Sequence, residues 1–302
     1  MRNQLIENIS TIARQDDRVV FLTADLGFGV TEAFRDEFPK RFFNVGVAEQ
    51  AMIAAATGLA RAGLIPYCYS IATFSALRAF EFIRNGPVLH QLPVKIIGVG
   101  PGFDYENDGL THFAVDDIAV LRSQPGLQIW APSDEVGFKS SFLRVHEYAG
   151  PVYLRIPRRP ITKSVAAQRP IEVQSPRVLV IAFGDSLNEA LEVSGHLTSS
   201  GIDFDFVEQH WMGSLADFDL LQLIARYAIC VSVETHYVSG GFGSYLLELS
   251  QGLEQPPRIF RHGIESLPVG PLGTRKWLSN VHMTDPTQTA QRVVKALQIK
   301  NG

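Results

Sequence analysis

Phe42-Phe-Asn-Val-Gly-Val-Ala-Glu-Gln-Ala-Met-Ile-Ala-Ala-Ala-Thr-Gly-Leu-Ala-Arg61 changes its period part-way along. An apolar run to Val47 gives way to an alanine-rich stretch with helical spacing, and Glu49 stands at the junction. A strand feeding a helix through a short turn is the repeating step of a parallel sheet. The same step recurs on both sides. Upstream, Leu5, Ile6, Ile9, Ile12 and Ala13 mark a helix ahead of a short strand at 18–22 that ends in Thr23-Ala-Asp-Leu-Gly. Downstream come an apolar stretch at 66–70, a helix over 75–85, a strand at 94–99 and a glycine-rich acidic loop from Gly100 to Thr111. A strand at 127–131, a helix from Ser133 to about Tyr148 and a strand at 152–156 close this set. Residues 157–176 carry Pro157, Pro160, Pro170 and Pro176 with no apolar period, which suits a linker. A second set follows, with strands at 178–183, 204–207 and 229–233, a helix with Leu187, Ala190, Leu191 and Ser194 on one face, and a last helix with Asp285 as N-cap and Pro286 in its first turn. The expected fold class is α/β, with two doubly wound domains that each carry a mainly parallel sheet. Their expected limits are 1–160 and 177–302, with a linker at 161–176.

Composition narrows the function classes. The chain has 302 residues, enough for two domains. Its 27 basic and 31 acidic residues give a net charge of -4, and no block of like charge occurs, so nucleic acid is not an expected partner. Cys68 and Cys230 lie far apart inside apolar runs, which argues against a disulfide framework or a cysteine-rich zinc site and for a cytoplasmic location. Polar residues interrupt the first fifteen positions, so neither a signal segment nor a membrane span is expected there.

Four positions stand out chemically. Glu49 lies where ligands collect in an open parallel sheet, at the carboxyl end of a strand. A first-turn glutamate is also what a helix dipole favours on its own, but apolar neighbours Val45, Val47, Met52 and Ile53 make an unpartnered carboxyl costly. His112, at the end of the acidic loop, suits acid–base chemistry or hydrogen bonding to a substrate oxygen, and equally a plain loop histidine. Phe74 offers either a stacking face for a planar heterocycle or a core ring. Arg155 ends a buried strand, where a cation needs an anion, supplied by a ligand or by an internal ion pair. Asp104, Glu106 and Asp108 do not make a calcium loop, since position twelve is Val115 and not a glutamate. Gly-Lys-Ser/Thr, G-x-S-x-G and a strand-turn G-x-G-x-x-G are all missing, which removes P-loop, serine hydrolase and simple dehydrogenase readings.

Taken in order, Thr23-Ala-Asp-Leu, Asn44-Val-Gly-Val-Ala-Glu-Gln50, Thr73-Phe-Ser, Asp108-Gly-Leu-Thr-His112 and Ala131-Pro-Ser-Asp-Glu resemble the transketolase family over nearly the whole chain. The resemblance is to the pyrimidine-binding and C-terminal domains, as in the smaller subunit of a split transketolase. It implies a thiamine diphosphate enzyme that moves a two-carbon ketol unit from a ketose to an aldose. By that resemblance Glu49 hydrogen-bonds N1' of the aminopyrimidine and Phe74 stacks on the ring. Leu26 and Val47 hold the cofactor bent, and Asp25 stands behind them. His112 and Asp108 contact the substrate's oxygens, and Arg155 faces its far end. The family holds the diphosphate and Mg2+ through a preceding domain with Gly-Asp-Gly and a later Asn. Here only Gly184-Asp185-Ser186 comes near that motif, in the wrong domain. The resemblance therefore implies a separate diphosphate-binding subunit and a dimer of heterodimers, with no metal ligands in this chain. Two family positions for substrate phosphate are Gly29 and Gly100 here, which leaves open a different terminal group on the donor or phosphate contacts supplied from elsewhere. Deoxyxylulose phosphate synthase, the beta subunit of a 2-oxoacid dehydrogenase and a non-catalytic scaffold of the same fold are the competing readings.

Overall fold

The structure, a computed structural model, describes residues 1–133, 135–159 and 178–299. The linker expected at 161–176 lies outside the described residues. Eleven strands are formed among the described residues: β1 (Val19–Thr23), β2 (Phe42–Asn44), β3 (Ile65–Ile71), β4 (Lys95–Val99), β5 (Gln128–Trp130), β6 (Val152–Ile156), β7 (Val178–Phe183), β8 (Asp205–Gln209), β9 (Trp211–Met212), β10 (Ile229–Tyr237) and β11 (Arg258–Ile264). They make a seven-stranded sheet in the order β2-β1-β3-β4-β6-β5-β9 and a four-stranded sheet in the order β11-β10-β7-β8. All pairings are parallel except β5 with β9. Among the described residues no helix is long and apolar enough to cross a membrane.

The uninterrupted apolar runs follow from burial on both faces. Along β1, Val20 and Leu22 pack with Met52, Ile53 and Ala56 of the helix Glu49–Arg61. The alternate residues Val19 and Phe21 pack on the opposite side with Leu5, Ile6 and Ile9 of the helix Arg2–Ala13. In the second sheet Val178, Val180 and Ala182 meet Ala190, Val193 and Leu197 of the helix Leu187–Ser199 and Val293 of the closing helix Pro286–Ile299. The Thr287 amide donates to Asp285 Oδ1 at 2.7 Å, the cap that the sequence signals. Leu191 departs from its expected buried face and is 39% exposed.

The sheets do not follow the expected separation of the two halves. Strand β9 belongs by sequence to the second half but pairs antiparallel with β5 of the first sheet, with Trp130 opposite Trp211. Two residues carry no readable period, so the sequence offered no signal for it. Leu179, Ile181 and Phe183 share one buried cluster with Ile118, Leu121 and Ile129, so the two units pack through a common core.

Arg155 ties the units together. From β6 its Nε donates to Asp117 Oδ2 at 2.9 Å, and Nη1 donates to Asp185 Oδ1 at 2.7 Å and to Thr235 Oγ1 at 3.3 Å. Nη2 donates to the carbonyls of Ala114 at 2.9 Å and Thr235 at 3.0 Å. All five donors are thus engaged on a side chain that is 1% exposed. Burial alone would lower its pKa, but the Asp117 and Asp185 carboxylates outweigh that and hold it above its ordinary value. Asp117 comes from the first unit, and Asp185 and Thr235 from the second, so removing the cation leaves Asp117 with only the Tyr153 hydroxyl and takes from Asp185 one of its two arginines. Arg155→Leu is expected to cost about 3–5 kcal/mol, read as an earlier midpoint in chemical denaturation at fixed protein concentration.

Candidate functional site

Five adjacent strands, β2, β1, β3, β4 and β6, deliver their carboxyl ends to one edge of the first sheet, and the expected site residues lie in the segments that leave them. After β1 the chain turns at Asp25, whose φ of +55° is left-handed. Asn44, at the end of β2, holds that turn. Its Oδ1 accepts from the amides of Asp25 and Gly46, each at 3.0 Å, and its Nδ2 donates to Asp25 Oδ1 at 2.9 Å. Asp25 is therefore a turn anchor that shapes the neighbouring backbone. Leu26 beside it is half-buried, whereas Val47 is a large apolar side chain left 74% exposed.

Glu49 opens the helix Glu49–Arg61 and is 1% exposed. Its Oε1 accepts from Ser70 Oγ, at the end of β3, at 3.2 Å, and its Oε2 accepts from Arg78 Nη1 at 2.8 Å. Arg78 closes a single π-turn over Phe74–Arg78 where a regular helix is expected from the sequence. The wide turn carries Arg78 back over Phe74, with the guanidinium carbon 4.2 Å from the ring centroid. Phe74 is half-buried and meets His112 edge-on at 5.1 Å between centroids. Glu49, Arg78, Phe74 and His112 thus form one unbroken line of contacts.

The acidic loop supplies the rest. His112 Nδ1 lies 2.9 Å from Thr111 Oγ1, and the His112 ring is 5.6 Å from Tyr105. Arg158, just beyond β6, stacks its guanidinium carbon 4.3 Å from the Tyr105 centroid and donates to the Asp104 carbonyl at 3.2 Å. Burial pushes the Tyr105 hydroxyl up to about 12, so it stays a neutral donor at ordinary pH. Asp108 is exposed at the loop's crest. The loop is clamped from below by the second unit. Phe103 and Phe113 pack with Ile264, Leu278 and Met283, and Arg275 Nη1 donates to Asp104 Oδ1 at 2.8 Å. Burial raises the Asp104 carboxyl above its ordinary range, with Arg275 opposing it.

The structure brings Glu49, Phe74 and His112 together and leaves Arg155 apart. Of the two readings open for Arg155, the internal ion pair is the one realised, and no donor remains for a ligand. Three residues on, Arg158 stands against Tyr105 of the acidic loop instead. Gly184-Asp185-Ser186 forms a tight turn whose Asp185 serves Arg155 and Arg275, not a ligand. Sequence reasoning missed Arg78, Tyr105, Arg158 and Asn44. Of these only Arg158 carried a signal, as one of three closely spaced arginines at a strand end. Gly100 is explained by Tyr105: a Cβ there would lie 2.1 Å from the tyrosine ring, at a φ of +84°. Tyr105 fills the space that a side chain at position 100 would take.

Two family models match the chain. One described as transketolase, pyrimidine binding domain, covers residues 1–163, and one described as transketolase, C-terminal domain, covers 167–269. A putative transketolase C-terminal section of Methanocaldococcus jannaschii is 33% identical over 99% of this chain and 96% of its own length. A 6-deoxy-6-sulfo-D-fructose transketolase subunit of a Clostridium species is 28% identical over 98% of this chain and 92% of its own. A solved structure described as a split gene transketolase, inactive beta4 tetramer, superposes with a TM-score of 0.81 at 28% identity, covering 96% of this chain and 97% of that one.

Gly100→Ala is expected to cost roughly 1–3 kcal/mol through overpacking and left-handed strain. In a Tyr105→Ala background the cost should fall to about 1 kcal/mol, the strain alone, and a double-mutant cycle on unfolding midpoints reads the difference.

Proposed function

Since the chain belongs to the transketolase family, we propose that it is the pyrimidine-binding subunit of a split, thiamine diphosphate-dependent transketolase that moves a two-carbon ketol unit from a ketose to an aldose. The observation that carries this reading is the buried Glu49 carboxylate linked through Arg78 to the half-buried ring of Phe74, with His112 edge-on to the same ring. These residues fit the aminopyrimidine end of the cofactor. A buried carboxyl matches a ring nitrogen that shares a proton, and an aromatic face matches a planar heterocycle. Bound there, the cofactor's thiazolium supplies the electron sink that lets a carbon–carbon bond beside a carbonyl break and re-form.

The chain's own residues take the remaining tasks. Glu49 holds the proton shared with the ring nitrogen, and Ser70 fixes the carboxyl's other oxygen so that it cannot rotate away. Phe74 sets the plane of the ring. Leu26 and the exposed Val47 press on the cofactor from the β1 and β2 ends, over the turn that Asp25 and Asn44 hold. His112 donates to, or accepts from, the reacting oxygen, and Asp108 accepts from a substrate hydroxyl. Arg158, backed by the Tyr105 ring, receives the donor's far end in place of Arg155. With Gly29 and Gly100 at the family's phosphate positions, that end meets a guanidinium and a phenol, a pairing suited to a planar or tetrahedral anion.

The diphosphate and its Mg2+ fall outside these residues, whose first unit has no Gly-Asp-Gly, and the relatives described as a transketolase C-terminal section and a split gene transketolase support a separate subunit for them. The proposed assembly is a dimer of heterodimers with the site at their interface.

Two measurements test this. Isothermal titration of the chain alone with thiamine diphosphate and Mg2+ is expected to show no micromolar binding, and micromolar binding would overturn the partner assignment. In the complex reconstituted with the neighbouring diphosphate-binding subunit, Glu49→Ala is expected to lower turnover at least ~100-fold without loss of assembly. Unchanged turnover would mark the chain as a scaffold.

A further inference from the structure

We propose that Arg78 competes with the aminopyrimidine for Glu49 and Phe74 and sets the affinity for the cofactor by having to give them up. This rests on the functional reading above. Arg78 makes both contacts assigned there to the ring: its guanidinium stacks on Phe74, 4.2 Å to the centroid, and its Nη1 donates to Glu49 Oε2 at 2.8 Å. A guanidinium is a fair stand-in for that heterocycle. It is planar, presents N–H donors in its plane and π-faces above and below it, and lies well on aromatic rings.

The two occupants exclude one another on chemical as well as steric grounds. Arg78 can only donate, so while it is paired the Glu49 carboxylate is the acceptor. A ring nitrogen is an acceptor too, and Glu49 reaches it only after taking up a proton and releasing the guanidinium. Ser70 on Oε1 is compatible with both states and keeps the carboxyl in place through the exchange. Arg78 has somewhere to go, because its side chain is 40% exposed while Glu49 is 1% exposed. Residues 74 and 78 stand four apart on one turn and so share a face, which lets the guanidinium lie on the ring.

The purpose this serves is physical. Without the cofactor, Glu49 would be a buried carboxylate with one hydroxyl partner, a costly state. Arg78 neutralises it and covers the face of Phe74. The cofactor's affinity is then lower than the empty site would give, by the free energy of displacing the arginine.

The test is calorimetric affinity for thiamine diphosphate with Mg2+ in the reconstituted complex. Arg78→Ala is expected to bind about tenfold tighter than wild type, or ~1.4 kcal/mol. Arg78→Lys, which keeps a charge but not the stacking plane, is expected to fall between. In a Glu49→Ala background the gain from Arg78→Ala should shrink to about twofold. If the wild-type complex binds normally and Arg78→Ala binds equally or more weakly, Arg78 is a structural or cofactor-holding residue and the inference is overturned alone. If the wild-type complex shows no saturable binding at all, the cofactor reading falls and this inference falls with it.

Discussion

A carboxylate with 1% exposure cannot stand alone in a protein interior, and much of the site can be understood as the arrangement that keeps Glu49 supplied with partners. Ser70 reaches it from the end of β3 and Arg78 from the π-turn that follows. Phe74 stands in the same turn, so the aromatic face and the carboxylate's counter-charge are delivered by one five-residue element. Residues 74 and 78, four apart on one helical turn, share a face, so the guanidinium lies on the ring.

The second unit has a task that assembly alone does not cover. The loop carrying Asp108 and His112 is long, acidic and glycine-rich, and on its own would have little to fix it. It is held from beneath by apolar contacts of Phe103 and Phe113 with Ile264, Leu278 and Met283, and by the ion pair of Asp104 with Arg275. Arg155 joins the same region, spanning Asp117 on one side and Asp185 and Thr235 on the other. Buried ion pairs of this kind add little net stability, but they specify geometry, because only one relative placement satisfies every donor. The position of His112 is therefore set by the second unit as much as by the first.

The α/β class, most strand–helix steps and the place of Glu49 were legible because apolar period and strand ends survive in a single sequence. Glu49, Phe74 and His112 were named from strand-end and loop positions, and in the structure Arg78 links Glu49 to Phe74, whose ring meets His112. What stayed illegible depended on side chains meeting across long separations. Arg155 was legible as a buried strand-end cation, but its partners Asp117, Asp185 and Thr235 lie 30 to 80 residues away, and nothing local chose them over a ligand. Arg78 was invisible because a π-turn has the composition of a helix. Tyr105 could not be linked to Gly100 without knowing that the loop folds back on its own start. Strand β9 has two residues and no pattern, and its pairing comes from the loop after β8 laying the His210 carbonyl on the Ala131 amide.

The most direct measurement is a crystal structure of this chain assembled with its diphosphate-binding partner and thiamine diphosphate. A Glu49 carboxyl oxygen is predicted to lie about 2.6–3.2 Å from the pyrimidine N1', with the ring on the face of Phe74. A loaded structure in which Glu49 remains turned away from the heterocycle, or in which the ring rests on other residues altogether, would contradict it.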